Sequence, residues 1–338
     1  MKTIGHTEYG GPEVLHFVTV PLPALRPRDA LVRVQAFAVN PADAKRRRGG
    51  DSPLQSPQIL GFDGSGTVEQ LGAEASLFHR GDEVYFAGDA SRQGCYAEFV
   101  AIDERIMGLK PKALSFAQAA AVPLTALTAW EAFFENMRLE PERASPTRTM
   151  LIVAGAGGVG SIAIQIAKRV AGLYVIATAS RPASTEFCRQ MGADAVIDHS
   201  QELGPQLRAL GLGGADYILN CVPMTNLPQL VPILNPLGVI CGIVGREGAD
   251  ALDASGLFQK RGTLTFEYMF TRSRLELEPE RQGKILNRVA GLLDQGILTS
   301  TMTQRMDWTE IQRAHRALDS GHTIGKIVLE LARPAEGD

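Results

Sequence analysis

Residues 150–154 form an apolar run that passes directly into a glycine cluster, Gly155-Ala156-Gly157-Gly158-Val159-Gly160. The run has the length and content of a buried parallel strand. Beyond the glycines, Val159, Ile162, Ala163, Ile166 and Val170 fall on one helical face. The spacing Gly155-x-Gly157-x-x-Gly160 therefore sits between a strand and a helix, the context in which it reads as a dinucleotide-binding turn. The first glycine permits the tight turn. The second lets backbone approach a pyrophosphate, and the third lets helix and strand pack closely. The helix N-terminus offers its N–H groups to the phosphates. Gly158 and Val159 complete the loop.

The rhythm around this unit sets the fold class. From residue 150 onward, strand-like runs at 150–154, 173–178, 195–197, 216–220 and 238–243 alternate with helical stretches, which predicts a doubly wound parallel sheet. Before residue 120 the runs are short, as at 30–39, 66–71, 83–86 and 97–100. Gly and Pro punctuate them, which predicts a small, partly closed β-barrel. Residues 115–135 have helical periodicity broken by Pro123, and 140–148 form a polar turn region. Later come a strand at 262–270, helices at 278–295 and 308–320, and a closing strand at 325–329.

At 338 residues there is room for about two domains. A net charge of −3 leaves no footprint for nucleic acid or anionic membrane. The basic run Lys45-Arg46-Arg47-Arg48 reads as a solvated loop, or as a place where one cation faces an anionic cofactor. The first residues do not read as a signal peptide, and no apolar stretch is long enough to span a membrane. Cys95, Cys188, Cys221 and Cys241 are scattered without a CxxC, which fits reduced thiols in a cytoplasmic protein. His6, His16, His79, His315 and His322 read as surface or loop residues.

The second strand of the nucleotide unit ends Ala177-Thr178-Ala179-Ser180-Arg181. NAD-binding folds place an acid there for the adenosine ribose hydroxyls. Here Ala179 takes that place, followed by a hydroxyl and a guanidinium suited to an extra phosphate. The expected cofactor is NADPH. The plain alternative is that Arg181 caps a turn before Pro182.

Further segments carry a family resemblance. They are Asn40-Pro41-Ala42-Asp43, residues 59–66 (ILGFDGSG), Gly81-Asp82-Glu83-Val84, residues 94–99 (GCYAEF), 119–130 (AAAVPLTALTAW), 192–199 (GADAVIDH), 270–273 (FTRS) and 325–329 (GKIVL). In this order the chain resembles the medium-chain dehydrogenase/reductase superfamily. Within it, the chain is similar to the quinone-oxidoreductase-like branch and its zinc-type alcohol dehydrogenase-like group. The resemblance implies a GroES-like catalytic domain at 1–122, a Rossmann NADPH-binding domain at 123–262, and a return to the catalytic domain at 263–338. It also implies an active site in the cleft between the domains.

In the zinc branch, two thiolates and a histidine hold the metal. Here those positions read Asn40, Phe62 and a cysteine-free 122–125, and the four-cysteine structural lobe is missing. The expectation is no metal. The resemblance places Asn40 and Thr125 beside the nicotinamide and substrate, His199 near the adenosine (or simply in a surface turn), and Cys221, Ile243 and Val244 near the nicotinamide end. Lys326 would reach the cofactor phosphates, or face solvent. Asn40 also has a plain role in its own turn, and Thr125 in capping or packing. Asp43 reads as a site or surface residue, and Asp63 as the partner of a cation or as structural. Tyr9, Tyr85, Tyr96 and Tyr268 are available proton donors, and spacing does not choose among them. Cys221 is not expected to be a nucleophile.

The expected activity is NADPH-dependent hydride transfer to a quinone or an α,β-unsaturated carbonyl, on a small-molecule substrate. The alternatives are a zinc-type alcohol dehydrogenase and a non-catalytic NADPH-binding redox sensor. A homodimer is expected, with strands 238–243 and 263–268 pairing edge to edge.

Overall fold

The computed structural model describes residues 1–49, 54–141, 147–245, 253 and 255–331. They form two compact units, Thr125–Met269 and Met1–Leu124 joined by Phe270–Asp338.

The unit Thr125–Met269 is built on a six-stranded sheet. Its strands run, edge to edge, Ala195–Ile197, Tyr174–Thr178, Thr149–Val153, Ala215–Asn220, Leu234–Gly242 and Thr263–Phe266. Every neighbouring pair is parallel. Thr149–Val153 lies inside the sheet and is buried at all five positions, which explains its unbroken apolar content. The helix Gly158–Arg169 is buried without interruption from Gly160 to Ala167. Its outer side is not solvated, because the helix Pro182–Met191 packs on it and Gln165 Nε2 reaches Met191 Sδ at 3.3 Å. Leu151, Ile176, Ile218, Leu230 and Ile240 meet in the core on one side of the sheet.

The other unit holds a seven-stranded sheet containing Asp29–Ala38, Asp63–Leu71, Glu83–Phe86, Phe99–Asp103, Met107–Leu109, Met302–Asp307 and Lys326–Glu330. Lys326–Glu330 pairs antiparallel with Asp29–Ala38, so the end of the chain completes the sheet begun by its first third. A small sheet of His16–Thr19, Lys2–His6 and Gln58–Ile59 completes the β structure. One core joins both parts of the chain, with Ile4, Val34, Phe37 and Phe86 packed among Trp308, Ile311 and Ile327. This is the GroES-like plus Rossmann architecture that the family resemblance implies.

The helical stretch is broken at Pro123 as expected: Phe116–Ala120 ends before it, and Pro123 itself starts the helix Pro123–Trp130, as its missing N–H allows in a first turn. That helix runs on into a π-helical turn, Glu131–Asn136. The differences have local causes. The strand expected over 262–270 is confined to Thr263–Phe266, and Phe270 opens a helix, Phe270–Leu275. The edge-to-edge pairing expected of strand 238–243 does not fit, because Leu234–Gly242 has neighbours on both sides. Among the described residues, Thr263–Phe266 is the edge strand at that end of the sheet. The polar turn expected at 140–148 falls largely outside the described residues. Among the described residues, no helix is long and apolar enough to cross a membrane.

Candidate functional site

The glycine turn follows Thr149–Val153 through Ala154, which sits at φ 57°. That left-handed conformation is uncommon for a residue with a side chain. It is held by its N–H donating to Thr178 Oγ1 at 3.0 Å, and by Gly155 N–H donating to Thr178 O at 2.9 Å. A methyl group on Gly160 would lie 2.6 Å from Ala154 O and 2.7 Å from Gly155 Cα, so this position admits no side chain without moving backbone. Gly157 is the N-cap, in extended conformation and with no capping side chain. A methyl group there would have 3.4 Å to Ala154 O, so no protein group demands a glycine at Gly157. A loop whose third glycine is enforced by packing and whose second is left bare fits a pyrophosphate approaching the helix N–H groups. Gly158 and Val159 supply N–H groups of that first turn, which lack intrahelical partners.

Apart from Lys326, which belongs to the other unit, the remaining expected cofactor residues gather at the same end of the sheet. Ser180 and Arg181 follow Tyr174–Thr178 and are exposed. His199 follows Ala195–Ile197, and its Nδ1 lies 3.0 Å from Thr178 Oγ1. Thr178 thus ties His199 to the backbone of the glycine turn. Arg181 is also the N-cap of Pro182–Met191, where its N–H donates to Ser184 Oγ at 3.2 Å. Cys221 comes directly after Ala215–Asn220, and Ile243 and Val244 come after Leu234–Gly242. Ile243 N–H donates to Asn220 O at 3.2 Å, which joins those two strand ends. Ligands of open parallel sheets bind at the carboxyl ends of the strands, where all these residues lie.

Two family models match the chain. The zinc-binding dehydrogenase model covers residues 191–329 and the alcohol dehydrogenase GroES-like domain model covers 26–130. A zinc-type alcohol dehydrogenase-like protein of Staphylococcus aureus (strain COL) is 38% identical over 311 residues, 90% of this chain and 91% of its own. The chloroplastic NADPH-dependent alkenal/one oxidoreductase of Arabidopsis thaliana is 38% identical over 342 residues, 97% of this chain and 79% of its own. The crystal structure of Escherichia coli quinone oxidoreductase complexed with NADPH superposes with a TM-score of 0.85 at 26% identity. That match covers 98% of this chain and all of the other. The chain is a medium-chain dehydrogenase/reductase of the quinone-oxidoreductase-like branch.

As a member of this family of oxidoreductases, it uses a nicotinamide cofactor and acts on small molecules. The residues at its zinc-branch positions have a definite environment. Asn40 is the N-cap of the helix Pro41–Arg48 and is buried. Its Nδ2 donates to Asp63 Oδ2 at 2.9 Å, and its Oδ1 accepts from Lys326 Nζ. Lys326 Nζ also donates to Asp63 Oδ2 at 2.7 Å and to Val39 O at 3.3 Å. The second oxygen of Asp63 accepts from Leu124 N–H at 2.7 Å. Asp63 and Lys326 are 0% and 3% exposed, so this is a buried ion pair with its hydrogen bonds satisfied. Of the two readings of Asp63, the partner of a cation is the one the geometry carries. Lys326 is not solvent-facing, and its ammonium donates to a carboxylate, an amide and a carbonyl. Phe62 is buried too, with its ring 4.5 Å from that of Phe270. Thr125 opens the other unit and is buried.

Asp43 is fully buried and closes the cap of its helix, its Oδ2 accepting from Asn40 N–H at 2.8 Å. Its Oδ1 accepts from Gly61 N–H at 3.1 Å. A surface role for Asp43 is therefore corrected. So is the reading of His315 and His6 as surface residues, since they are 0% and 2% exposed. His315 shares the buried face of Ile311–Asp319 with Ile311 and Ala314, a spacing already visible in the chain. The basic run at 45–48 is the end of a helix, and Arg47 faces inward. His16, His79 and His322 are exposed as expected. All four cysteines are free. Burial pushes the Cys188 and Cys221 thiols up to about 12 and Cys95 and Cys241 upward as well, so none is a thiolate nucleophile at neutral pH.

Proposed function

We propose that this oxidoreductase takes NADPH and delivers hydride to a quinone or an α,β-unsaturated carbonyl without a metal ion. The observation that carries this reading is the environment of Asn40. Where zinc-dependent members need a thiolate, this chain has a neutral amide held by a buried ammonium. A divalent cation beside Lys326 Nζ would meet like charge in a low-dielectric site. Phe62 offers no ligand atom at the second position, and among the described residues no three His, Cys, Asp or Glu side chains come together as a metal would need. Without a Lewis acid, reduction suits an acceptor that is already electron-poor at carbon. The names of two relatives, an alkenal/one oxidoreductase and a quinone oxidoreductase, support that substrate class.

The bound cofactor would supply the hydride. The protein supplies placement. The turn Gly155–Gly160 would hold the pyrophosphate by backbone N–H groups. Ser180 and Arg181 would bind the 2′-phosphate, with His199 beside the adenosine. Cys221, Ile243 and Val244 would line the nicotinamide end through their backbone and apolar surface. Asn40 keeps one amide hydrogen and one oxygen lone pair beyond its bonds to Asp63 and Lys326, enough to orient a carboxamide or carbonyl. Thr125 would offer a hydroxyl for the same purpose. A homodimer through the edge strand Thr263–Phe266 belongs to this reading.

Arg181→Ala tests the cofactor assignment. Losing a charge-assisted contact to phosphate is expected to raise the Kd for NADPH by about 10–100-fold. The Kd for NADH should stay within about twofold. Fluorescence titration with both cofactors reads this, and equal losses for the two would refute the assignment.

A further inference from the structure

The strand Ala215–Asn220 ends in a polar side chain that is 0% exposed. Asn220 lies beside Val153 on one neighbouring strand and Gly242 on the other. It therefore stands between the two strand ends that lead into Ala154 and Ile243. Its Nδ2 donates to Val222 O at 3.0 Å and to Asn226 Oδ1 at 2.9 Å. Its Oδ1 accepts from Asn226 Nδ2 at 3.0 Å. A carbonyl only accepts, so Val222 O fixes which end of the Asn220 amide is the nitrogen. The orientation of Asn226 follows, because its oxygen must face that nitrogen. The two amides form a reciprocal, two-bond pair that closes residues 221–226 into a loop at the end of the strand.

Ile218 and Leu219, just before it, are equally buried and apolar. A buried amide is costly unless its bonds are made, and here both hydrogens of Asn220 are used. Asn226 forgoes a second use. It is the N-cap of the helix Leu227–Ile233, a position that favours asparagine for its side-chain bond to the first turn. Yet it makes no such cap bond and is turned back to Asn220. The loop is fastened at two further points. Met224 is fully buried with its Sδ 3.3 Å from Asn220 Nδ2, and a methyl group on Gly242 would come within 2.7 Å of that sulfur. Asn220 O accepts from Ile243 N–H at 3.2 Å. One asparagine thus sets the turn at 221–223 and the backbone of Ile243 relative to each other.

We propose that Asn220 and Asn226 are positioning residues, whose amide pair holds the turn at 221–223 in the shape that receives the nicotinamide ring. This rests on the reading of Cys221, Ile243 and Val244 as the nicotinamide end. None of the bonds of the pair reaches the glycine turn, Ser180, Arg181 or His199. The pair therefore acts on where the ring lies and not on how firmly the adenosine and pyrophosphate are held. Opening it frees the turn to move, which costs ring contacts and hydride alignment while the phosphate anchor stays in place.

The test compares the Kd for NADPH with that for 2′-phospho-ADP-ribose, the same molecule without the ring, in wild type, Asn226→Ala and Asn226→Asp. Wild type is expected to prefer NADPH by about tenfold or more. Asn226→Ala removes both bonds and should lose most of that preference, with the Kd for the fragment within about twofold of wild type. Its kcat with a 1,4-quinone should fall by about 10–100-fold. Asn226→Asp still accepts from Asn220 Nδ2 but cannot donate to Oδ1, so it should fall between the two. Asn226 is half-buried, and if Asn226→Ala does not fold, Asn226→Asp carries the same comparison. A merely structural role would weaken both ligands together. Equal losses for the two ligands, or a preference that stays at the wild-type value, overturns the proposal. A wild type that binds both ligands equally overturns the reading of the nicotinamide end, and the proposal with it. A selective loss for NADPH in variants of a protein that reduces neither a 1,4-quinone nor an enone overturns the proposed activity instead, and supports the role of the pair.

Discussion

Gly160→Val is expected to abolish dinucleotide binding, raising the Kd for NADPH at least about 100-fold, or roughly 2.7 kcal/mol. The new Cβ would lie 2.6 Å from Ala154 O and 2.7 Å from Gly155 Cα and O. All three are backbone atoms, and Ala154 is already held in the left-handed region by Thr178. The helix Gly158–Arg169 must therefore move away from the strand before it, which carries its N-terminal N–H groups off the phosphate position. Stability should fall as well, because the helix is buried along most of its length. Gly157→Ala is the control. Its methyl group meets only Ala154 O, at 3.4 Å, so the fold should be unchanged while affinity drops. Fluorescence titration and thermal melting of both variants separate the two effects. Near-normal binding by Gly160→Val would contradict the role given to the turn.

Lys326→Met is expected to be among the most destabilising substitutions in the first unit, costing about 3–5 kcal/mol. It leaves the Asp63 carboxylate buried without its counter-charge and Asn40 Oδ1 without its donor. Breaking a buried pair is costly because the remaining ion has neither water nor partner. Replacing both members costs much less. Asp63→Asn with Lys326→Met keeps an oxygen for Leu124 N–H and removes both charges, and should recover most of the loss. Urea unfolding of the single and double variants measures this. Additive losses would show that the pair contributes no coupling energy.

The same residues show what a sequence reading reaches and where it stops. The glycine turn, the parallel sheet and the strand-end location of Ser180, Arg181 and His199 all follow from local spacing, because a Rossmann unit is built from consecutive segments. The buried pair of Asp63 and Lys326 does not follow, since its members lie 263 positions apart. Their meeting depends on Lys326–Glu330 adding to the strand Asp29–Ala38. In the sequence Arg47 is one of four consecutive cations, and its burial does not follow from them because His315 and Asp319 arrive from the far end of the chain. Periodicity held part of this information. Asp43, Ala44 and Arg47 share one face of Pro41–Arg48, and His315 shares one with Ile311 and Ala314. Residue type points these side chains outward, and their position on the helix turns them inward.

The proposed activity is metal-free hydride transfer from NADPH. The most direct measurement is NADPH oxidation with a 1,4-quinone and with an α,β-unsaturated ketone, before and after exhaustive chelation, with the metal content of the same sample determined. Steady NADPH consumption that chelation leaves unchanged, in protein without stoichiometric zinc, is the expected result. Activity lost on chelation and restored by one zinc per chain would contradict it, as would tight NADPH binding with no turnover of either acceptor.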